Sequence, residues 1–204
     1  MKLYISPISP NSRKVTAVAA YLGLQCEVEA IDLSKGGNRT PEFLAINPNG
    51  KIPALIDGEL SLWESNAIMA YLCGKNDTAL WPKTNERYDI MRWMNWELAH
   101  WGRWISSYAF ETFLRGLFNA GEPNQETMKE AEQFIQKFGN VLDDHLGRTP
   151  YLVGEGVTIA DFAVGAHLTY RKAAKLPLDE FKNILAWEDR LNEIKAWRES
   201  APPM

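Results

Sequence analysis

Residues 47–72 read NPNGKIPALIDGELSLWESNAIMAYL. Two short apolar runs, residues 52–56 and Leu60–Trp63, flank the pair Asp57-Gly58. An Asp-Gly pair between such runs is a hairpin signal, because both central turn positions need positive φ. Ala67, Ile68, Tyr71 and Leu72 then fall at helical spacing. The stretch predicts strand, turn, strand, helix.

Upstream, Lys2–Ile5 is a short apolar run, and residues 6–10 supply turn formers. From Asn11 a helix is expected, with Val15, Val18, Ala19 and Leu22 on one face. Residues 27–33 alternate (Val28, Ala30 and Leu33 among acidic neighbours) and read as a second strand. Lys35-Gly36-Gly37-Asn38 reads as a loop. The order βαβ–ββα predicts an α/β domain with helices packed on one sheet. Downstream, residues 76–84 look like a linker, and every long segment after it has helical period. Ile90, Trp93, Met94, Leu98, Trp101, Ile105 and Tyr108 form one stripe. Met128, Ala131, Ile135, Phe138 and Leu142 form another, and Ile184, Trp187, Leu191 and Ile194 a third. Thr158 and Asp161 are spaced for reciprocal capping of a helix start. The expected plan is residues 1–75, a linker over 76–84, and an all-helical domain over 85–204.

Composition narrows the function classes. The chain has 204 residues, 46% hydrophobic and 24% charged, with a net charge of −4. Those are the proportions of a soluble globular protein, and no basic block marks a nucleic-acid surface. No apolar stretch is long enough to span a bilayer, and the first residues run straight into a strand, so neither a membrane span nor a signal peptide is expected. Cys26 and Cys73 are too few for a disulfide framework, and three scattered histidines do not make a zinc site. No metal is expected, and the compartment is a reducing one, the cytoplasm.

Four segments then resemble, in order, motifs of the glutathione transferase superfamily. Ser9-Pro10-Asn11-Ser12-Arg13 is similar to the catalytic turn of its serine-type theta-, phi- and nu-like members. Residues 47–55 resemble the segment around the family's cis-proline, Leu62–Ile68 its Glu-Ser-x-Ala-Ile motif, and residues 151–161 its late capping motif. The resemblance spans nearly the whole chain. It implies a thioredoxin-like domain that binds glutathione, followed by a helical domain holding an apolar electrophile. It also implies a homodimer. Glutathione is the implied co-substrate, conjugation the implied reaction, and peroxide reduction a possible accompaniment.

The chemical task would be to present a thiolate at neutral pH. A free thiol titrates at roughly 8.5, and lowering that by two units requires about 2.7 kcal/mol. A hydrogen bond to a charged group contributes about 1.5–3 kcal/mol, and a helix N-terminus about 0.3–1. One hydroxyl at the start of the first helix is therefore sufficient. Tyr4, Ser6, Ser9 and Ser12 are all near; the resemblance selects Ser9, with Asn11 as a helper through its amide. The plainer reading is that Ser9 and Ser12 only serve the turn and cap the helix. Where thioredoxin-like redox proteins carry Cys-x-x-Cys, this turn has Ser9-Pro10-Asn11-Ser12, so the protein has to borrow a thiol. The resemblance further implies that the Ile52 backbone, before Pro53, pairs with the cysteinyl unit. Glu64 would meet the amino group and Ser65 the carboxylate of the γ-glutamyl end. Lys51 and Asn38 would meet the glycyl end and main chain, with Arg39 an equal candidate beside Asn38. Trp101, Trp104 and Tyr108 are the candidates for the hydrophobic pocket, while His100 and Arg103 read as solvated. Two other readings stay open: a glutathione-dependent disulfide reductase, and a ligand-binding module without turnover.

Overall fold

The computed structural model describes residues 1–202. The chain divides into two compact units, one of Met1–Pro82 together with the chain from Glu193 onward, the other Lys83–Asn192. This differs from the expected boundaries at the C-terminus, where the last segment returns to the first unit.

In the first unit, β1 (Lys2–Ile5), α1 (Pro10–Tyr21), β2 (Glu27–Ala30), α2 (Pro41–Ile46), β3 (Ala54–Asp57), β4 (Leu60–Trp63) and α3 (Ser65–Gly74) follow in order. The sheet order is β2-β1-β3-β4, with β1 parallel to β2 and antiparallel to β3, and β3 antiparallel to β4. This is the βαβ–ββα plan, with one helix more than foreseen. Thr40 caps α2 through its hydroxyl, with Pro41 at the first helical position. Six residues are too few to display a helical period. Leu3, Val15, Val18, Leu55, Ile68, Met69 and Leu72 are the buried centre of this unit.

The returning segment carries Ile194 at the N-cap of α10 (Lys195–Glu199). Trp197 is 2% exposed, with the Arg13 guanidinium 3.8 Å from its ring centroid and bonded to its carbonyl at 3.3 Å. A delocalised guanidinium stacks on an indole face in this way, so α1 gains an aromatic lid from the far end of the chain.

The second unit begins with a long helical run made of α4 (Glu86–Trp96), α5 (Gly102–Ala109) and α6 (Arg115–Leu117), joined by π-helical turns over Glu97–Trp101 and Phe110–Leu114. A π-helical turn inserts one residue into the helical period. Ile90, Trp93 and Met94 point inward as expected, but the next inward positions are Glu97, Trp101 and Ile105, while Leu98 is 54% exposed. The stripe read from the sequence thus fails at Leu98, and a glutamate takes the inward place.

α7 (Gln125–Leu146), α8 (Ile159–Gly165), a 3₁₀ turn over Ala166–Tyr170 and α9 (Lys182–Glu193) complete the unit. Ala131, Ile135 and Leu142 of the second stripe are buried, as are Ile184, Trp187 and Leu191 of the third. Phe138 stays half-buried. Its place is taken by Gly139, where an added Cβ would lie 2.6 Å from Phe181 Cζ. Gly139→Ala is expected to cost about 1–3 kcal/mol through overpacking. Urea unfolding followed by tryptophan fluorescence measures it; a stability equal to wild type would show that Phe181 can swing aside.

Candidate functional site

The sheet gathers the candidate residues of the first unit. Tyr4 pairs with Ala54, and Ala54 with Trp63. Given those antiparallel registers, the chain leaves β1 at Ile5, enters β3 from Pro53 and leaves β4 at Trp63, all at one end of the sheet. The Ser6–Asn11 turn, the Lys51–Pro53 approach and the Glu64-Ser65 corner therefore share that end.

Ser9 is the N-cap of α1, and its Oγ accepts from the Ser12 N–H at 3.3 Å. The plainer reading of Ser9 is thus correct as far as it goes. Capping occupies a lone pair of the oxygen, however, and leaves the hydroxyl proton to be donated elsewhere. Ser9 is half-buried, whereas Ser6 is 4% and Ser12 2% exposed. Ser12 Oγ accepts from the Ser6 N–H at 3.1 Å, which ties the turn to the helix. Tyr4 packs edge-on against Phe43, with ring centroids 6.0 Å apart. Of the four hydroxyls, Ser9 combines a helix N-terminus with an accessible oxygen.

Asn11, also half-buried, sits on the first turn of α1, and its Oδ1 accepts from Ser65 Oγ at 3.4 Å. Ser65 opens α3 and is 8% exposed. Before it, Glu64 holds φ at 68° and ψ at 112°. Such a backbone is sparsely populated outside glycine, and residues held in it cluster at ligand-binding corners. The Glu64 side chain is exposed, and the first amides of α3 have no acceptor within the helix, a natural carboxylate site.

The peptide bond between Ile52 and Pro53 is cis. Pro53 is buried, Ile52 half-buried and Lys51 exposed. The loop before them is built by two asparagines. Asn47, 2% exposed, donates from Nδ2 to the Lys51 carbonyl at 2.6 Å and accepts the Asn49 N–H at 3.0 Å. Asn38 donates from Nδ2 to the Gly50 carbonyl at 2.6 Å. One of its two amide protons is thus engaged by the loop, so Asn38 supports the approach to Lys51 and keeps a second proton for a ligand. Gly50 has φ at 59°, and an added Cβ would lie 3.0 Å from the Asn38 carbonyl oxygen, so the close approach requires glycine. Sequence reasoning missed Asn47, although Asn47-Pro48-Asn49-Gly50 carried the signal of a side chain that closes its own turn.

Neither cysteine joins this end of the sheet. Burial pushes the Cys73 thiol up to about 12, and burial also raises that of Cys26. Both are the protonated, unreactive form at neutral pH.

In the second unit the three pocket candidates separate. Trp101 is 1% exposed and stacks on Trp96 with centroids 5.8 Å apart, so it is a core residue and offers no wall to a ligand. Trp104 lies face to face with Phe134 at 4.2 Å, with the Arg103 guanidinium 4.6 Å from its centroid. Tyr108 is half-buried, and burial and then Glu132 raise its phenol. A cavity of ≈ 270 Å³ in this unit is lined by Arg92, Trp93, Trp96, Val141, His145 and Arg148, none of them among the three. Among the described residues no helix is long and apolar enough to cross a membrane, and no group of three or more His, Cys, Asp or Glu could hold a metal ion.

Comparison with known proteins meets this geometry at both ends of the chain. Residues 1–74 match the family model "Glutathione S-transferase, N-terminal domain", and residues 109–201 match "Glutathione S-transferase, C-terminal domain". Glutathione S-transferase 3 of Zea mays is 37% identical over 164 residues, 79% of this chain and 73% of that one. The disulfide-bond oxidoreductase YfcG of Escherichia coli (strain K12) is 31% identical over 203 residues, 95% of this chain and 91% of that one. The crystal structure of the theta class glutathione S-transferase from Xanthomonas axonopodis pv. citri with glutathione bound superposes with a TM-score of 0.87 at 28% identity, over 100% of this chain and 97% of that one. A serine-capped first helix, a cis-proline entering β3, a strained glutamate opening α3 and two family models in order leave one reading: the chain belongs to the glutathione S-transferase family.

Proposed function

We propose that the protein is a glutathione transferase that joins the glutathione thiolate to small apolar electrophiles, with Ser9 as the residue that stabilises the thiolate. The observation that carries this is the meeting of Ser9, Pro53 and Glu64-Ser65 at one end of the sheet, where no cysteine of the chain stands. Glutathione laid along that end would set its sulfur at the N-terminus of α1. There the Ser9 hydroxyl donates its proton into a hydrogen bond with the thiolate, and Asn11 assists from its amide. The γ-glutamyl carboxylate is received by Ser65 and the first amides of α3, and the amino group by Glu64. The Ile52 backbone pairs with the cysteinyl unit in a minimal strand addition. Lys51 meets the glycyl carboxylate, with Asn38 fixing its loop.

In conjugation the thiolate sulfur attacks an electrophilic carbon, a carbon–sulfur bond forms, and the leaving group departs with the electron pair of its own bond. Tyr108 and Trp104 stay as candidates for the apolar pocket. A homodimer and a cytoplasmic location belong to the same reading. The exposed Tyr88, Met91 and Leu98 on the helical unit support the first, and two unpaired cysteines the second.

A second reading keeps the site and changes the electrophile. The YfcG similarity and the position of Asn11 support glutathione-dependent disulfide reduction, in which two glutathione thiols are oxidised to one disulfide as the substrate disulfide is reduced to two thiols. The test follows thiolate absorbance of bound glutathione against pH for wild type, Ser9→Ala and Asn11→Ala, with conjugation of chlorodinitrobenzene and reduction of hydroxyethyl disulfide on the same samples. Wild type is expected to titrate below about pH 7 and Ser9→Ala to return toward roughly 8.5, with conjugation lost in step. If Asn11→Ala is the damaging change and disulfide reduction outruns conjugation, the second reading replaces the first.

A further inference from the structure

Ser65 and Asn11 stand 54 positions apart, on the first turns of α3 and α1, yet Ser65 Oγ donates to Asn11 Oδ1 at 3.4 Å. A primary amide has two unlike ends. Its carbonyl only accepts hydrogen bonds and its NH₂ only donates. Left alone, the terminal torsion of an asparagine side chain is broad and roughly two-fold, so both ends would visit the same neighbour. A thiolate is stabilised by the NH₂ end and repelled by the lone pairs of the carbonyl. The sign of the effect of Asn11 on a bound sulfur therefore depends on which way its amide is turned. The bond from Ser65 engages the carbonyl end and leaves the NH₂ end for the ligand. Ser65 itself is well placed to hold one orientation, being 8% exposed at the start of a ten-residue helix.

We propose that Ser65 is a positioning residue for Asn11: its hydroxyl holds the amide so that Nδ2 faces the glutathione sulfur. This rests on the reading of the site as a thiolate site. Since the hydroxyl has one proton, the γ-glutamyl carboxylate is left to the Ser65 N–H and the next amides of α3. One residue thus serves both the γ-glutamyl end of the tripeptide and, through Asn11, its sulfur.

The test is a double-mutant cycle read in two ways. The pH titration of bound glutathione thiol, and KM and kcat for conjugation, are measured for wild type, Ser65→Ala, Ser65→Thr, Asn11→Ala, Asn11→Asp and the double variant Ser65→Ala/Asn11→Ala. Ser65→Ala is expected to raise the bound thiol by about one pH unit, the worth of one hydrogen bond to an anion. Ser65→Thr keeps the hydroxyl and is expected to restore the wild-type titration. In the Asn11→Ala background, Ser65→Ala should raise KM and leave the thiol unmoved. Asn11→Asp should raise the thiol further than Asn11→Ala, because a carboxylate has no proton to offer. Equal thiol shifts in both backgrounds, or a raised KM with an unchanged titration, would overturn the proposal, leaving Ser65 as a carboxylate contact alone. An Asn11→Ala variant that titrates as wild type overturns it too, while the role of Ser9 stands. A wild-type protein that binds no glutathione, or leaves its thiol at the free value, removes the site reading and this proposal together.

Discussion

Asp161→Ala is expected to destabilise the helical unit by about 3–5 kcal/mol at neutral pH, because each buried donor left without an acceptor costs about 1–3 kcal/mol. Asp161 is wholly buried at the start of α8. One carboxylate oxygen accepts the Leu152 N–H at 2.9 Å and the Trp187 indole N–H at 3.0 Å; the other accepts the Thr158 N–H at 2.8 Å and hydroxyl at 3.0 Å. A single side chain thus joins the 151–158 loop, the first turn of α8 and the middle of α9. Alanine removes the acceptor and leaves backbone amides and an indole that cannot turn toward water. Urea unfolding followed by tryptophan fluorescence is the measurement, since five of the eight tryptophans (93, 96, 101, 104 and 187) lie in this unit. A loss under about 1 kcal/mol would mean that water replaces the carboxylate, and the argument from orphaned donors would be wrong.

The same residue sets a pH signature. Burial pushes the Asp161 carboxyl up to about 6 from an ordinary 3.8, against the pull of its four donors. A group whose folded-state value lies above its unfolded one contributes stability below the unfolded value and loses it as pH rises through the folded value. The gap between wild type and Asp161→Ala is therefore expected to widen by about 2 kcal/mol between pH 7.5 and 4.5. Since every other titrating group is common to both proteins, the difference isolates Asp161. A gap that narrows on acidification would show that the donors outweigh burial.

Local chemistry made part of this legible beforehand. The hairpin forms, but one residue later than the Asp57-Gly58 pair implies: Asp57 ends β3 paired with Leu60, so the turn is Gly58-Glu59. Of these only Gly58 has positive φ, at 61°. β4 has the bounds that its apolar run predicts. β3 starts two residues late, after Pro53, which has no N–H for the ladder. Ser9 as a cap was readable from residue type and spacing, and so was the reciprocal pair Thr158–Asp161. The remainder depends on where distant segments meet. Nothing near Arg13 announces Trp197, nothing near Asn11 announces Ser65, and the return of the last segment to the first unit follows from such contacts. The aromatic wealth of the long helical run was plain, but its facing was not. Residue type alone puts Leu98 in the stripe, whereas a period of 3.6 carried from Ile90 favours positions 97 and 101, and there Glu97 and Trp101 are buried while Leu98 is exposed.

That misplaced glutamate leads to the second large effect. Glu97, 1% exposed, meets His167, 7% exposed, and His167 Nδ1 lies 3.4 Å from Ser106 Oγ. The pair fits because residue 102 has no side chain: a Cβ there would lie 2.5 Å from His167 Nε2 and 3.0 Å from Glu97 Oε1. Real Cβ atoms do not tolerate the first distance, and an imidazole enclosed in packed helices has little room to withdraw. Overpacking costs about 1–3 kcal/mol, and pushing apart the buried Glu97–His167 hydrogen bond adds about 1–3 more. Gly102→Ala is expected to lose about 3 kcal/mol or more, although alanine is the better helix former by about 1 kcal/mol. Gly116 in α6 provides the control, because a Cβ there meets nothing within 4 Å. Gly116→Ala should be neutral or stabilising by about 0.5–1 kcal/mol. Opposite signs for one substitution at two helical glycines would locate the effect at the Glu97–His167 pair. If both variants unfold with wild-type stability, the histidine moves freely and the pair does not constrain the long helix.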